Sequence, residues 1–249
     1  MIILTLSFFV TSILYSSVGF GGGSTYLALL LIWGVPYHIF PVIALLCNII
    51  VVSGNSFNYI RVGNHNFKLL MPFLIGSVPF AFFGGTLQMN KETFELILFF
   101  ILMLAGILLL INNKSYEINN LIICKLNFIY SFLIGSALGL ISGIVGIGGG
   151  IFLSPILFLL KAEKPKIIAT TASLFILINS ISGLIGQFTK ENIFYELINY
   201  WPLFLCVFIG GLVGNYLNLK IFSNRILAIM TSLLVIFVSI RIGIRIFLN

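Results

Sequence analysis

Residues 126–160 read LNFIYSFLIGSALGLISGIVGIGGGIFLSPILFLL, thirty-five positions without an Asp, Glu, Lys or Arg. As one straight helix the segment would run about 52 Å at 1.5 Å per residue. The hydrocarbon core of a bilayer is about 30 Å thick and takes roughly 20 helical residues. The stretch is therefore apolar enough for lipid and too long for a single crossing, so something must interrupt it. Val145-Gly146-Ile147-Gly148-Gly149-Gly150 is the place. Only about eleven apolar residues follow before the next charges, a half-helix rather than a span.

The same pattern, V-G-x-G-G-G, occurs 127 positions earlier as Val18-Gly19-Phe20-Gly21-Gly22-Gly23. The match continues downstream. Ser53-Gly54 answers Ser182-Gly183, and Pro72 and Gly84 answer Pro202 and Gly214. The chain reads as two homologous halves. Residues 1–113 form an N-terminal transmembrane repeat, 114–125 a polar connecting loop, and 126–249 a C-terminal transmembrane repeat.

Composition fixes the class. Hydrophobic residues make up 60% of the 249 and charged residues 8%, with mean hydropathy +1.19, where a soluble domain carries about 25% charged residues. The expected fold is all-α and polytopic, with four hydrophobic regions in each half and the first of each broken at its glycine run. The runs are continuous Leu, Ile and Phe rather than alternating, which excludes a transmembrane β-barrel. The N-terminus, MIILTLSFFV, lacks a basic region and reads as a first span rather than a cleaved signal. The net charge of +7 lies mostly in loops at span ends, so nucleic acid is not an expected partner. Cys47, Cys124 and Cys206 are far apart, suggesting neither a disulfide framework nor a metal site.

Charge also arbitrates topology. If each broken region crosses once, Lys and Arg divide seven to six and give no orientation. If each folds back at its glycines, nine (Arg61, Lys68, Lys114, Lys125, Lys161, Lys164, Lys166, Lys220, Arg225) fall on one side, and Lys91, Lys190, Arg241 and Arg245 on the other. The positive-inside rule then puts the nine in the cytoplasm and both termini outside the cell membrane. Each half makes an odd number of passes, so the halves are inverted, as in many secondary transporters.

Irregular backbone at membrane depth survives only where protein or a wet cavity satisfies its amides. Consecutive glycines leave N–H groups accessible, and a following helix aims its positive end at whatever sits there. Such a site selects anions. The expected binding residues are Gly19, Gly21, Gly22, Gly23, Ser24 and Thr25 in the first half and Gly146, Gly148, Gly149 and Gly150 in the second. The chain has no Asp, and no Glu falls in an uncharged span to repel a negative ligand. Close helix packing is the competing account of such glycines. It does not require a broken helix.

The paired G-x-G-G-G runs, Pro155 five positions after the second, and Ala169-Thr170-Thr171-Ala172-Ser173-Leu174 resemble the TauE/SafE family over essentially the whole chain. That resemblance implies transport of a small, sulfur-bearing anion such as sulfite or an organosulfonate. The first half departs from the second in having no proline after Ser24-Thr25, which makes the two half-sites unequal.

Asn48 and Asn55 are seven apart and share a helical face beside the first run, with Asn58 in the same segment; Thr170, Thr171, Ser173, Asn179, Ser180 and Gln187 lie in the counterpart segment, where Asn179, eight residues from Thr171, is on roughly the same face. Interhelical bonding and a pathway role weigh about evenly for each of these, and matched placement favours substrate contact. Trp33 and Trp201 read as interfacial anchors, His38 and His65 as solvated loop residues, and Arg241 and Arg245 as snorkelling cations. No catalytic or metal-ligand spacing occurs and the glycine runs lack the Lys-Ser/Thr of a P-loop, so neither an enzyme nor a cofactor is expected. Without carboxylates in the spans there is no obvious proton relay, and potential-driven export of an anion is the favoured direction. A passive anion channel and a non-transporting membrane scaffold subunit stay open as alternatives. The expected partners are a small anionic substrate and lipid, with homo-oligomerisation left open.

Overall fold

The computed structural model describes residues 1–17, 19–63, 65–111, 126–190 and 196–218, with further helical positions between 232 and 247. The connecting loop of residues 114–125 and the pair Arg241 and Arg245 lie outside the described residues. Helix α1 (Ile2–Ser16) ends at the first glycine run, and α2 (Gly23–Ile32) starts from it. A 3-10 turn, Tyr37–Ile39, leads into α3 (Phe40–Arg61), then α4 (Phe67–Thr86) and α5 (Lys91–Ile111). The second half repeats the order. Helix α6 (Phe128–Val145) ends at the second run, α7 (Gly150–Leu159) starts from it, and α8 (Pro165–Gln187), a 3-10 turn at Ile198–Tyr200 and α9 (Trp201–Asn218) follow. No strand occurs among the described residues.

Local signals set the helix starts. Asn66 Oδ1 accepts from the Leu69 amide (3.2 Å) at the head of α4, and Asn127 Oδ1 from the Ile129 amide (3.0 Å) at the head of α6. Each satisfies one of the donors a helix N-terminus leaves open. Five of the described helices are long and apolar enough to cross a membrane. Their outward side chains, among them Phe83, Leu133, Phe208 and Leu212, are exposed and apolar. Polar side chains such as Asn48, Asn55 and Ser173 are buried. This inside-out distribution is that of a polytopic membrane protein.

The first helix of each half packs on the fourth helix of the other, through glycine. A Cβ on Gly139 would strike the Ser77 carbonyl of α4, and one on Gly84 the Leu140 carbonyl of α6. Likewise Gly210 and Gly214 of α9 admit Phe9, Ser12 and Ile13 of α1. Lipid supplies no hydrophobic drive between helices, so such backbone approach is what holds them.

These contacts also fix direction. Contact pairs advance together in α1 with α9 and in α6 with α4. Helix α8 runs with α4, since Ser182 Oγ donates to the Val78 carbonyl (2.7 Å) and Gly186 meets Phe82. Helix α3 runs with α9, since Val51 meets Gly211 and Asn58 Nδ2 donates to Asn215 Oδ1 (3.1 Å). Helices α3 and α8, third in their halves when the broken pair counts as two, run antiparallel. Ser56 and Ser173 hydroxyls bond at 3.0 Å near one end, and Leu45 packs on Gly183 near the other. Thus α1, α3 and α9 point one way and α4, α6 and α8 the other. Because α2 delivers the chain to the start of α3, it runs against α1, and α7 likewise runs against α6. The chain turns back at each glycine run.

Candidate functional site at the meeting of the two glycine breaks

The turn-back depends on backbone that only glycine adopts freely. Gly22 (φ 85°) and Gly149 (φ 76°) hold matched left-handed positions just before α2 and α7. Each of those helices has ten residues, so it rises about 15 Å, half the hydrocarbon core.

The two breaks touch. Asn48 of α3 donates from Nδ2 to the Ile147 carbonyl at 3.1 Å and, more weakly, to the Gly146 carbonyl at 3.5 Å. The same side chain leaves no room for a Cβ on Gly21, Gly23 or Gly148, and Ser180 of α8 borders Gly148 from the other side. Asn48 lies eight residues, about 12 Å, into the 22-residue helix α3. There the N-termini of α2 and α7 face each other.

Within the described residues, no protein acceptor takes the amides of Gly21, Gly22, Gly23 and Ser24, or those of residues 147–151. Ser24 Oγ, Asn48 Oδ1, Asn179 Oδ1 and Ser180 Oγ are likewise buried with no partner, in residues 0–1% exposed. Leaving a buried polar atom unsatisfied costs about 1–3 kcal/mol. Several in one place, at membrane depth, point to a ligand or water. Beside Ser24 lies a space of about 10 Å³, lined by Tyr15, Phe20, residues 21–24, Ile147, Ile151 and Ile176, room for about one water. The site is closed.

The sequence-derived residues separate by depth. Gly21, Gly22, Gly23, Ser24, Asn48, Gly148, Gly149 and Gly150 converge on the junction. Gly19 packs under the Tyr59 ring and Gly146 behind Pro41, on opposite flanks of it. Thr25 is bonded to the Tyr15 hydroxyl (2.6 Å). Asn55 accepts from Ser16 Oγ at 3.5 Å. Asn179 donates to its own helix at the Phe175 carbonyl (2.8 Å). Thr170 and Thr171 donate to the carbonyls of Lys166 and Ile167 (3.0 and 2.8 Å), and Ser173 pairs with Ser56. These three lie about two turns along α8 from Ser180, away from the junction. Sequence reasoning did not single out Tyr15, and it weighed Ser180 only as one of the polar residues of its segment. Ser180 is found by antiparallel pairing with α3, which places it level with Asn48. No cluster of His, Cys, Asp or Glu that could hold a metal occurs among the described residues.

A second cavity, about 440 Å³, opens at the end of the molecule where α3 begins and α8 ends. It is lined by Tyr37, His38, Gln88, Met89, Thr189 and Lys190, with Pro41 and Ile144 on the side of the second break. Lys190 Nζ donates to Gln187 Oε1 (2.8 Å), whose Nε2 donates to the Gly143 carbonyl of α6 (2.8 Å). Burial lowers the Lys190 pKa to about 8. His38 is not merely solvated. Its Nε2 meets Glu196 Oε2 at 2.8 Å, joining the two halves at this end. At the opposite end Asn66 Nδ2 donates to Glu163 Oε1 (3.0 Å), and together with the Ser56–Ser173 and Asn58–Asn215 pairs this closes the approach from that side.

The chain matches the family described as "Sulfite exporter TauE/SafE" over residues 4–242. It is 30% identical to "Probable membrane transporter protein MJ0441" of Methanocaldococcus jannaschii, over 90% of this chain and 88% of the relative. It is 28% identical to "Probable membrane transporter protein y4hK" of Sinorhizobium fredii over 93% of each. To "Probable membrane transporter protein YunE" of Bacillus subtilis it is 24% identical over 89% of each. No solved structure matches it.

Proposed function

Because the chain belongs to the sulfite exporter TauE/SafE family of membrane transporters, we propose that it moves a small anion, of the sulfite or organosulfonate class, out of the cell through the junction of its two glycine breaks. One observation carries this reading: two helix N-termini face each other at depth over open backbone amides and the Ser24 and Ser180 hydroxyls, with no carboxylate beside them among the described residues. Each terminus presents about half a positive charge, and a pair suits one anion. The antiparallel run of α3 and α8 supports halves inverted about an axis in the membrane plane, the architecture of alternating access. The charge count supports the plasma membrane, with both termini, Lys190 and the 440 Å³ cavity on the extracytoplasmic side.

Closure favours a carrier over a channel. The central space of about 10 Å³ admits no anion without rearrangement, whereas a conducting pore is continuous. One monovalent anion leaving a cell gains about 2.3 kcal/mol per 100 mV, so export runs on membrane potential without a proton relay. The test is efflux of sulfite from proteoliposomes under a clamped potential, outward against inward. Efflux that scales with potential and is lost in Asn48→Leu supports the reading. Strict dependence on a proton gradient at clamped potential removes the coupling scheme, and absence of flux for every sulfur oxyanion removes the substrate class.

A further inference from the structure

We infer that the 440 Å³ vestibule is a second anion site, an antechamber in which Lys190 holds a small oxyanion on the path to the glycine junction. The inference rests on the reading that anions pass this chain, and it adds a residue and a place.

Position comes first. The vestibule opens at one end of the molecule, and Pro41 and Ile144 line its inner side. Gly146 packs directly behind Pro41, and the Gly146 and Ile147 carbonyls are those held by Asn48. One layer of backbone therefore separates the vestibule from the junction.

Charge comes second. Among the described residues no carboxylate lines the cavity or lies within ion-pair distance of Lys190. The facing titratable groups are Tyr37 and His38 from the turn before α3. Glu196 is taken up by His38, and Lys91 and Glu95 pair with each other at 4.0 Å beyond Tyr37. Glu191 lies outside the described residues. Among the described residues nothing compensates the positive charge of Lys190, and its one bonded partner there is the neutral amide of Gln187.

A lysine after a helix commonly caps its last carbonyls. Here the amides of Phe188, Thr189 and Lys190 already occupy the Leu184, Gly186 and Gln187 carbonyls, and the Thr189 hydroxyl doubles the bond to Gly186. The ammonium is not needed as a cap. Gln187 instead aims it into the cavity and ties it to α6 through the Gly143 carbonyl, three residues before the second break. Since burial lowers its pKa to about 8, capture by the ammonium weakens as pH rises through that value.

The experiment measures the thermal midpoint of the full chain in detergent against inorganic sulfate and sulfite, because ligand bound to the folded state raises the midpoint by mass action. Lys190→Gln is expected to raise the half-saturating sulfate concentration at pH 7 by at least about tenfold, the loss of one charge-assisted bond. Lys190→Arg is expected to stay close to the wild type. Sulfate keeps one charge state between pH 6.5 and 9.5, so wild-type affinity should fall above about pH 8 while Lys190→Arg stays flat. If Lys190→Gln binds both ions as the wild type does, the vestibule site is wrong and the central reading stands. If neither ion stabilises the wild type, both fall. A Lys190-dependent signal that persists in Asn48→Leu while efflux is lost places the two sites apart, as inferred.

Discussion

Asn48→Leu separates binding from folding at the centre of the site. The change removes the Nδ2 bond to the Ile147 carbonyl (3.1 Å) and leaves that carbonyl unpaired, a cost of about 1–3 kcal/mol. It also removes Oδ1, which has no partner and whose burial costs a similar amount. The two nearly cancel, but Leu is bulkier than Asn and Asn48 already crowds Gly21, Gly23 and Gly148, so overpacking of about 1–3 kcal/mol should lower the thermal midpoint of the unliganded protein by several degrees. Anion binding has no such compensation: Oδ1 accepts and cannot serve an oxyanion, so the anion takes the second Nδ2 proton, which the Gly146 carbonyl holds only at 3.5 Å. A charge-assisted bond contributes about 1.5–3 kcal/mol, so the half-saturating concentration should rise about ten- to hundredfold. Asn48→Asp should be worse at high pH, since a like charge about 4 Å away costs roughly 4 kcal/mol at an effective dielectric constant of 20. Midpoint titration with sulfite in a Lys190→Gln background, which leaves the junction as the site read, and proteoliposome efflux measure both quantities. An Asn48→Leu protein that folds, binds sulfite within twofold of the wild type and exports it normally would refute the assignment of this junction as the site.

Gly149→Ala should lower the thermal midpoint by several degrees. A left-handed alanine costs about 1–2 kcal/mol, and its Cβ would sit 2.9 Å from the Phe175 ring. Gly34→Ala, also at positive φ but in open space, should lose only the backbone part, so equal shifts in the two variants would contradict the packing. Thr170→Val and Thr171→Val should leave anion affinity within twofold, because both hydroxyls are spent on their own helix; a tenfold loss would move the site along α8. Gly139→Leu should abolish a monodisperse peak in size-exclusion chromatography, since its side chain would drive into the Ser77 backbone. His38→Ala should cost under about 1 kcal/mol in midpoint terms, as expected of a half-exposed pair.

The break in residues 126–160 was legible because length and hydropathy contradict each other there, and the matched run at Gly19 to Gly23 made it a repeat. Asn48 was legible through its spacing from Asn55. The cross-packing of α1 on α9 and α6 on α4 was not, because it depends on glycines such as Gly139 and Gly210 meeting carbonyls of a distant segment. Face arithmetic also placed Thr171 with Asn179, since periodicity reports the side of a helix and not the depth along it. Antiparallel pairing of α3 with α8 puts Ser180, not Thr171, level with Asn48. Lys190 escaped for a different reason: reading spans discounts loops, and its partner Gln187 and the vestibule exist only once the ends of α3, α4, α6 and α8 are brought together.

On the proposed carrier reading, the placement of formal charge follows from what a carrier must do. A lysine at the junction would bind an oxyanion strongly in a low-dielectric site, and a tightly held substrate does not leave. Among the described residues the junction has no such group; its polar side chains are amides and hydroxyls alone, and the two helix termini together supply about one unit of diffuse charge. That suffices to replace the hydration of a small anion while leaving exchange fast. The one ammonium on the proposed path, Lys190, stands in the open vestibule, where water weakens its hold. Moving it inward should therefore trade turnover for affinity. Ile147→Lys is expected to tighten sulfite binding in the midpoint assay and slow efflux, and a variant that binds more tightly and exports at the wild-type rate would show that release from the junction does not limit transport.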